Sequence, residues 1–487
     1  MNGAIQVSAP LGMIEPLLII SGFATLVLIA DLLLPHDRKH WSAALALVGI
    51  AWALARTLPQ WGMHALGYSD MVVLDNLSTF FNILFLSSTA LVIFFSGPFI
   101  RREHVEQPEY YSLLLFATAG MMILASGLDL ITLFLGIEVM SLSLYILAGY
   151  RRDSDTSNEA AMKYFLLGAF ASACLLYGIA LVYGATGTTN LVKIADTLGN
   201  FEGPFPAPML LAGVGLVIVG FGFKVAAAPF HMWTPDVYEG APTPITAFMS
   251  AGPKAAAFVA LLRVLFVAFA PVQEGWTEVL AGVAALTMTV GNIAAIAQTN
   301  IKRMLAYSSI AHSGYVLIGL VAGGTVGGTA AVFYLLAYMA MNLGAFAVVI
   351  ALGQKGTQGE ELRDYAGVGF RYPALGALLA LFMISLSGIP PTVGFVGKLY
   401  LFGSAVQAGY VWLAVVGVLN SAISVFYYLR LLVLMYMREP AEDLPPLRLP
   451  VGVAVTLAIT AVATLGAGIF PGSWFEAARE GIRALFS

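Results

Sequence analysis

The sequence predicts an all-α polytopic membrane protein, and three observations support this fold class. Of the 487 residues, 59% are hydrophobic and only 10% are charged. Mean hydropathy is +0.87, and soluble domains carry about 25% charged residues, so a soluble fold is excluded. Apolar runs of about twenty residues, the length of a membrane-crossing helix, recur along the whole chain, whereas barrel strands need only about 9–11 residues.

Fourteen apolar segments are long enough to cross a membrane. They are 12–34, 41–58, 73–97, 110–127, 129–150, 160–184, 207–229, 242–270, 276–298, 304–323, 327–353, 373–409 with a break, 410–437 and 450–470. The first segment is too long for a cleaved signal peptide and carries Asp31, and the residues before it are not basic. The stretches 185–206 and 354–372 leave no room for a soluble domain, so we expect one transmembrane domain over 1–487.

The basic residues are distributed unequally between alternating loops. With fourteen spans, 14 of the 23 Lys and Arg residues fall on one side and three on the other. The larger group comprises Arg38, Lys39, Arg101, Arg102, Arg151, Arg152, Lys163, Lys302, Arg303, Lys355, Arg363, Arg371, Arg438 and Arg448. The smaller group comprises Lys193, Arg479 and Arg483. Because basic loops stay in the cytoplasm, we expect both termini on the non-cytoplasmic side.

Four ionisable residues lie within these apolar segments: Glu138, Lys224, Lys254 and Lys398. Moving such a group to the centre of a bilayer costs roughly 2.5–3.5 kcal/mol on insertion scales, so it needs a partner, a wet cavity or loss of its charge. An intramembrane ionisable residue therefore indicates a functional site. A lysine can release its proton when buried, whereas an arginine cannot. One glutamate and three lysines in this setting predict a path for protons.

Prolines stand close to two of the buried lysines. Pro229 follows Lys224 by five residues, and Pro390-Pro391 precedes Lys398 by seven. Proline removes a backbone donor and interrupts a helix, and transporters place such broken helices at their ion sites. A kink that only shapes packing is the alternative interpretation for each proline. Two breaks, each beside a buried lysine, favour broken helices 7 and 12 at functional sites.

Weak similarity between two short motifs suggests an internal repeat. The string GFGFK ends at Lys224 and GFVGK ends at Lys398, five helices apart. This spacing predicts two five-helix repeats, spans 4–8 and 9–13, which must be inverted because each has an odd number of crossings. The chain would then divide into three N-terminal helices (1–109), a first repeat (110–270), a second repeat (271–437) and a C-terminal helix (438–487).

The buried groups have alternative interpretations. Glu138 is either a structural carboxylate or the partner of Lys224, whose charge it would then control. Lys254 is interpreted as a relay, and Lys398 as the exit-side group. His312 either packs through hydrogen bonds or exchanges protons near neutral pH. A continuous line from Lys224 through Lys254 and His312 to Lys398 would need bridging water or hydroxyl groups, for which Tyr307, Ser308 and Ser309 are candidates.

The remaining polar residues receive simpler interpretations. Arg263 and Arg430 indicate structural ion pairs or snorkelling side chains, and Asp31 and Asp129 indicate solvated carboxylates at span ends. The segment HMWTPDVYEGAPTP, with Asp236 and Glu239, is either a mouth for protons or a helix-capping turn.

Cys174 is the single cysteine, and the six histidines show no metal-ligand spacing, so disulfide, zinc, haem and iron–sulfur sites are not expected.

Four motifs carry a resemblance to a known family. They are FKVAAAPFHMWTPDVYEGAPTPITAFMSAGPKAAAF, LGIEVMSLSLYILAGY, NIKRMLAYSSIAHSGY and SGIPPTVGFVGKLYLF. Over essentially the whole chain, the sequence resembles the antiporter-like membrane subunits of respiratory complex I and of related multi-subunit cation/proton antiporters. Two features separate the chain from two other subunit types of this family. One type has a glutamate where this chain has Lys398. Another type has a long lateral helix, whereas this chain ends at residue 487 without one.

The resemblance implies roles for residues and partners. Glu138 and Lys224 would be the ion pair of the family, Lys254 the central relay lysine and Lys398 the distal lysine, in fourteen helices with two inverted repeats. The chain would lie in the cell inner membrane beside homologous antiporter-like subunits and lipid, without nucleic acid. NADH, FMN, iron–sulfur clusters and quinone would belong to other subunits of the parent complex, and this chain would bind no cofactor.

Three functions remain open at this point. The first is a proton-translocating subunit of a redox-driven NADH–quinone oxidoreductase, a translocase without a redox centre in this chain. The second is a subunit of a Na⁺/H⁺ antiporter driven by ion gradients, which the same motifs fit. The third is a scaffold subunit whose buried charges only hold helices together. Neutral replacement of Glu138 and Lys224 would impair pumping but not assembly if the first is right.

Overall fold

The computed structural model describes residues 10–33, 41–103, 109–200, 207–353, 359–439, 447 and 449–486. Within these residues the chain is almost entirely helical. The helices are α1 Pro10–Met13, α2 Glu15–Leu33, α3 Trp41–Thr57, α4 Asn76–Arg102, α5 Glu109–Ser126, α6 Leu130–Ala148, α7 Asp155–Thr186, α8 Leu191–Gly199, α9 Ala207–Lys224, α10 Trp233–Gly240, α11 Thr243–Arg263, α12 Gln273–Ile296, α13 Ile301–Ala322, α14 Gly324–Leu352, α15 Val368–Arg371, α16 Pro373–Ser387, α17 Val393–Gln407, α18 Val411–Met437, α19 Val451–Ile469 and α20 Gly472–Arg483. Two short strands, β1 Ala65–Gly67 and β2 Val72–Leu74, form an antiparallel hairpin.

The helices agree with an integral membrane protein. Eleven helical segments of the described chain are long and apolar enough to cross a membrane. Three shorter apolar helices, Glu15–Ala30, Pro208–Lys224 and Pro373–Ser387, lie in the three remaining predicted spans. Two of these three precede interruptions in the chain. The prediction of an all-α polytopic membrane protein is therefore confirmed.

Three helices form the centre of the bundle. In α13 and in the segment Thr243–Ala268, which contains α11, 94% of the apolar window is buried, and in α14 the share is 83%. In α3 and α19, at the periphery, it is 33%. The central helices carry small side chains at close contacts: a Cβ on Gly319 of α13 would lie 2.7 Å from the carbonyl oxygen of Gly327 in α14. Side chains on the central helices are thus shielded from the surroundings.

Two helices are interrupted at the predicted places. α9 ends at Lys224, and the helix resumes at Trp233 after eight intervening residues. α16 ends at Ser387, and α17 begins at Val393, with Gly388 in the left-handed conformation between them. Pro229 and the pair Pro390-Pro391 lie inside these interruptions. Lys224 lies before its interruption, and Lys398 lies after its own. The similar motifs GFGFK and GFVGK therefore place the two lysines at different positions relative to the interruptions.

Two bridges between extended segments share one pattern. Asp129 pairs with Asn190 and Asn300 pairs with Glu361, and in both cases 61 residues separate the partners. The backbone hydrogen bonds beside the bridges also correspond. Leu130 N donates to Thr189 O beside the first bridge, and Ile301 N donates to Glu360 O beside the second. Each position in the second bridge lies 171 residues after its counterpart in the first. The sequence motifs gave no sign of this correspondence.

Glycine contacts follow the same spacing. A Cβ on Gly120 in α5 would lie 2.5 Å from the backbone nitrogen of Met140 in α6. A Cβ on Gly291 in α12 would lie 2.6 Å from the backbone nitrogen of Ala311 in α13. Both residues of the second pair lie 171 positions after those of the first. The pairs α5–α6 and α12–α13 therefore pack at equivalent points.

Several elements differ from the predictions. The segment after the seventh predicted span, interpreted as a mouth or a turn, forms α10. The β hairpin, α8 and the terminal helix α20 were not predicted. α20 packs on α4 and α14, and the ring of its Phe475 lies 4.2 Å from that of Tyr400. Short amphipathic helices at the ends of a bundle are easily missed, because a search for long apolar runs passes over them.

Candidate functional site

Lys224 lies at the C-terminal end of α9, buried with 6% exposure. Its Nζ donates to Ser141 Oγ at 2.7 Å and lies 3.3 Å from Tyr145 OH. The rings of Tyr145, Tyr164 and Phe223 surround the ammonium at 5.3–5.6 Å from Nζ. Carbonyl groups at a helix C-terminus and aromatic faces both favour a cation. These surroundings favour the cationic form of Lys224, although no carboxylate contacts its Nζ within the described residues.

Glu138, predicted to be the partner of Lys224, forms no direct ion pair with it within the described residues. The Glu138 Oε1 accepts a hydrogen bond from Ser172 Oγ of α7 at 2.5 Å. Glu138 does interact electrostatically with Lys224. Ser141, one turn after Glu138 on α6, accepts a hydrogen bond from Lys224 Nζ. The Lys224 ammonium is therefore hydrogen-bonded to a hydroxyl and not to the carboxylate.

Lys254 is buried in α11 with 3% exposure. Its Nζ donates to the carbonyl oxygen of Ser309 at 2.9 Å and also to the Ser309 hydroxyl. Ser313, one turn further along α13, donates to the carbonyl oxygens of Ser309 at 3.1 Å and of Val225 at 2.6 Å. Because Val225 follows Lys224, these contacts link the interruption after α9 to Lys254. Ser309, one of the predicted bridging candidates, contacts Lys254, and its role as a bridge stays a prediction.

His312 is buried between two tyrosines. Its Nδ1 lies 2.7 Å from Tyr334 OH and its Nε2 lies 3.1 Å from Tyr428 OH. Tyr428 OH is also 2.5 Å from Ser308 Oγ. His312 interacts electrostatically with both Lys254 and Lys398. Transfer of a proton between these two lysines through His312 stays a prediction.

Lys398 is buried in α17 with 3% exposure. Its Nζ donates to the carbonyl oxygens of Leu386 and Ser387, the last two residues of α16, at 3.1 and 2.9 Å. A third hydrogen bond reaches Ser421 Oγ of α18 at 2.9 Å. The ring centroid of Tyr315 lies 4.9 Å from Lys398 Nζ and 5.5 Å from the ring centroid of His312. Lys398 thus joins the same cluster as His312.

The hydroxyl groups around this cluster were mostly missed in the sequence. Tyr307, predicted as a bridge, lies near Arg303 instead, 6.0 Å from its guanidinium. Ser308 does contribute, but the two tyrosines that hydrogen-bond His312 come from other helices, Tyr334 from α14 and Tyr428 from α18. Three further tyrosines lie against them or against His312: Tyr315 of α13, Tyr338 of α14 and Tyr427 of α18. Their positions along the chain have no common spacing that could have indicated the cluster.

Arg263 forms a structural ion pair, as predicted. Its Nη2 lies 2.7 Å from Asp75 Oδ1, with side-chain exposures of 1% and 2%. Arg430 instead donates to the carbonyl oxygens of Ile296 and Gln298 at the end of α12. Asp129, predicted as solvated, is buried and caps α6 through the backbone nitrogen of Ile131. The side chain of Asp31 lies outside the described residues.

A second charged cluster joins α10 to its neighbours. Asp236 Oδ2 accepts from Lys163 of α7 at 2.6 Å, and Asp236 Oδ1 accepts from Arg303 of α13 at 2.7 Å. Arg303 also binds Glu239 at 2.8 Å. Burial alone would raise the pKa of Asp236, but the hydrogen bonds from Lys163 and Arg303 outweigh it and lower the pKa below its ordinary value. Within the described residues, no group of His, Cys, Asp and Glu could hold a metal ion.

Comparison with known proteins identifies the family of this chain. A family model described as "NADH:quinone oxidoreductase/Mrp antiporter, TM" matches residues 125–424. The NADH-quinone oxidoreductase subunit N of Trichlorobacter lovleyi is 50% identical, covering 98% of this chain and 97% of that protein. Subunit N of Chloroflexus aggregans is 47% identical, covering 96% of both.

Solved structures agree with these relatives. A chain of respiratory complex I from Thermus thermophilus with bound aureothin is 36% identical, with a TM-score of 0.79, covering 95% of this chain and 98% of that one. A chain of the Mrp complex from Dietzia shares the fold, with a TM-score of 0.84 at 23% identity over 98% of both chains. The resemblance carried by the four motifs is confirmed: the chain belongs to the NADH:quinone oxidoreductase/Mrp antiporter family of transmembrane proteins, as a relative of the subunit N proteins.

Proposed function

We propose that this chain is a proton-translocating subunit in the membrane arm of an NADH:quinone oxidoreductase. The observation that carries the proposal is the series of buried groups Lys224, Lys254, His312 and Lys398, each hydrogen-bonded to at least one hydroxyl, with Lys224 and Lys398 beside helix interruptions. Full-length similarity to subunit N proteins supports the parent complex. NADH oxidation and quinone reduction occur in other subunits, with NADH, FMN, iron–sulfur clusters and quinone, and this chain contributes proton transfer without a redox centre of its own.

Each buried group has a role in this proposal. Glu138 modulates the charge of Lys224 across Ser141, and Lys254 receives the proton through the α13 hydroxyls. His312 transfers it between Lys254 and Lys398, because its two nitrogens already face tyrosine hydroxyls on both sides. Proton transfer between bases requires hydrogen-bond reach at each step, directly or through water. Lys398 is the exit-side group.

The proposed topology has fourteen membrane helices and two inverted five-helix repeats, spans 4–8 and 9–13. The matched bridges, Asp129 with Asn190 and Asn300 with Glu361, support the repeats, as do the glycine contacts at the same spacing. We propose the same division that the sequence predicted, into 1–109, 110–270, 271–437 and 438–487. The distribution of basic residues supports termini on the non-cytoplasmic side of the cell inner membrane.

Partner subunits cover at least one lateral face in this proposal. Glu138 is only half-buried in this chain, and its neighbours on the same face of α6, Leu135 and Leu142, are each 54% exposed. A carboxylate facing lipid is costly. At least one neighbouring membrane subunit therefore packs against this face. One of the partner subunits is a homologue with its own broken helices. Such a contact also carries the energy of the redox reaction to Glu138.

Proton pumping by the purified complex in liposomes tests this function. NADH and quinone start turnover, a pH-sensitive dye in the lumen reports proton movement, and Lys254→Ala is compared with Lys193→Ala, which alters an exposed lysine. We expect Lys254→Ala to abolish most of the pH change while Lys193→Ala leaves it intact. Equal pumping by both variants, in equally assembled complexes, would remove Lys254 from the path.

The second candidate is a subunit of a Na⁺/H⁺ antiporter. The family model and the fold shared with the Mrp complex favour it, whereas the subunit N relatives do not. A Na⁺ gradient imposed on liposomes without NADH distinguishes the two. Lumen pH that follows the gradient indicates an antiporter, and lumen pH that changes only with NADH and quinone indicates the redox-driven pump. A scaffold would leave pumping unchanged in neutral variants of Glu138 and Lys224.

A further inference from the structure

Glu138 and Ser309 occupy equivalent places in two helices. Gly120 packs against α6 at residues Gly136 and Met140, and Gly291 packs against α13 at the residues 171 positions later. Glu138 lies midway between the two contact points on α6, and Ser309 lies midway between those on α13. The bridges at the starts of α6 and α13 repeat the same spacing. A neutral hydroxyl in the second half thus stands where the first half has a carboxylate.

Both residues lie beside a buried lysine from a different helix. Glu138 acts on Lys224 electrostatically. Ser309 contacts Lys254 directly and offers two acceptors, its carbonyl oxygen at 2.9 Å and its hydroxyl. An ammonium has three hydrogens to donate, and Ser309 takes two of them. Within the described residues, Lys254 has no other hydrogen-bond partner and no ion pair.

The surroundings of Lys254 contain several other titratable groups. His312 lies on α13 and interacts with Lys254 electrostatically. Tyr238 of α10 and Tyr338 of α14 lie next to Ser309, and neither hydroxyl has a hydrogen bond of ordinary geometry. The helices α6 and α9, which also pack on α11, carry Glu138 and Lys224. A carboxylate does not contact Lys254 from any of these helices.

We propose that Ser309 is the positioning residue for Lys254, and that a neutral group at this point keeps the lysine able to release its proton. The proposal rests on the proposed function and adds a residue to it. The hydroxyl and carbonyl of Ser309 hold Nζ beside the tyrosines and His312. A carboxylate at the same point, as in the first half, would hold Lys254 in its charged form, because an adjacent anion favours the cation.

Substitution of Ser309 separates positioning from simple packing. Ser309→Ala removes one of the two acceptors, and we expect proton pumping per assembled complex to fall about tenfold, the factor of a hydrogen bond to a charged group. Ser309→Thr keeps the hydroxyl and restores most of the activity. Ser404→Ala is the matched control, since the buried Ser404 hydroxyl donates only to a carbonyl of its own helix, Leu401 O at 2.7 Å. Equal pumping by Ser309→Ala and the control, or equal loss in Ser309→Ala and Ser309→Thr, would overturn the proposal.

Introduction of a carboxylate gives a readout that packing alone does not affect. In Ser309→Glu, we expect maximal pumping to fall below that of Ser309→Ala and the pH optimum to move to higher pH, because the paired lysine releases its proton only there. An unchanged pH optimum in an assembled complex would contradict this. If Lys254→Ala pumps like the wild type, the proposed function fails; if Lys254→Ala is inactive and the Ser309 variants are normal, only the role of Ser309 fails.

Discussion

The two interrupted helices hold a lysine ammonium by different means. Lys224 is itself the last residue of α9. Lys398 belongs to the helix after the interruption and reaches back to the carbonyls of Leu386 and Ser387, which end α16. The Lys398 Nζ therefore lies at the electronegative C-terminal end of α16. The Lys224 Nζ instead contacts side-chain hydroxyls and aromatic rings.

The partners of the two ammonium groups differ. Lys224 contacts hydroxyl groups and aromatic rings, with Glu138 one helical turn from its acceptor Ser141. Lys398 contacts backbone carbonyls, Ser421 and one ring, and forms no ion pair within the described part of the chain. Backbone carbonyls cannot change charge, whereas a carboxylate can move or be displaced. The first half is thus suited to receive a signal and the second half to hold and release a proton.

The largest expected effect is the loss of Lys224. Lys224→Ala removes the only cation at the first interruption within the described residues, and we expect proton pumping to fall at least about tenfold, a modest estimate for loss of a proton-transfer group. Lys224→Arg keeps the charge but cannot release its proton, so it should not restore pumping. Dye-reported acidification of liposomes per assembled complex measures both. Restoration by arginine would mean that only a fixed charge is needed.

The second interruption should respond to arginine in a different way. Lys398→Arg retains donors for the carbonyls of Leu386 and Ser387, so we expect normal assembly and thermal stability. Pumping should still fall several-fold, because arginine does not release a proton. Lys398→Ala should lose both stability and pumping. Native gels and thermal denaturation report assembly, and the same liposome measurement reports pumping. Normal pumping by Lys398→Arg would make Lys398 a structural cation.

Removal of the carboxylate should affect the first half more than the second. Glu138→Gln keeps the acceptor for Ser172 but removes the charge near Lys224. We expect proton pumping to fall about threefold to tenfold, the size of a typical coupling between two sites. Ser172→Ala, which removes only the hydrogen bond, is the control and should lower pumping less. An identical decrease in both variants would indicate that the hydrogen bond and not the charge is important.

The smallest effect is expected at the charged cluster on α10. Asp236→Asn loses two ion pairs of partly exposed groups, worth about 0.5–1 kcal/mol together. The pKa of Asp236 is lowered in the folded chain, so its contribution to stability is present above the ordinary pKa of about 4 and is lost as pH falls further. The difference in melting temperature between Asp236→Asn and the wild type should therefore disappear in strongly acidic buffer. A constant difference at all pH values would show that its ionisation is not involved.

Much of this fold could be predicted from the sequence because apolar length and buried charge are local signals. Helix positions and both interruptions followed from apolar runs and from prolines near Lys224 and Lys398. The pairing of Glu138 with Lys224 could be expected from the sequence, but not that Ser172 and Ser141 would take their hydrogen bonds. A sequence gives the residues on each helix, but the rotation of one helix against another decides which side chain faces which.

The tyrosines around His312 illustrate a second limit. Tyr334 and Tyr428 lie 94 positions apart in the chain, and each reads as an ordinary aromatic residue in an apolar run. Their hydroxyls meet at one histidine only because α14 and α18 both pack near α13. The correspondence between α6 and α13 is likewise visible only in glycine contacts and backbone bridges, because the residues at the matching positions, Glu138 and Ser309, differ in type.

Infrared difference spectroscopy on the assembled complex tests most directly whether these lysines exchange protons. With ¹⁵N-labelled lysine, bands that shift with the label and change on addition of NADH report lysines whose protonation changes during turnover. We predict such bands in the wild type and in Lys193→Arg, and their partial loss in Lys224→Arg and in Lys398→Arg. Lysine bands that remain unchanged on addition of NADH, in a complex that pumps protons, would contradict the account.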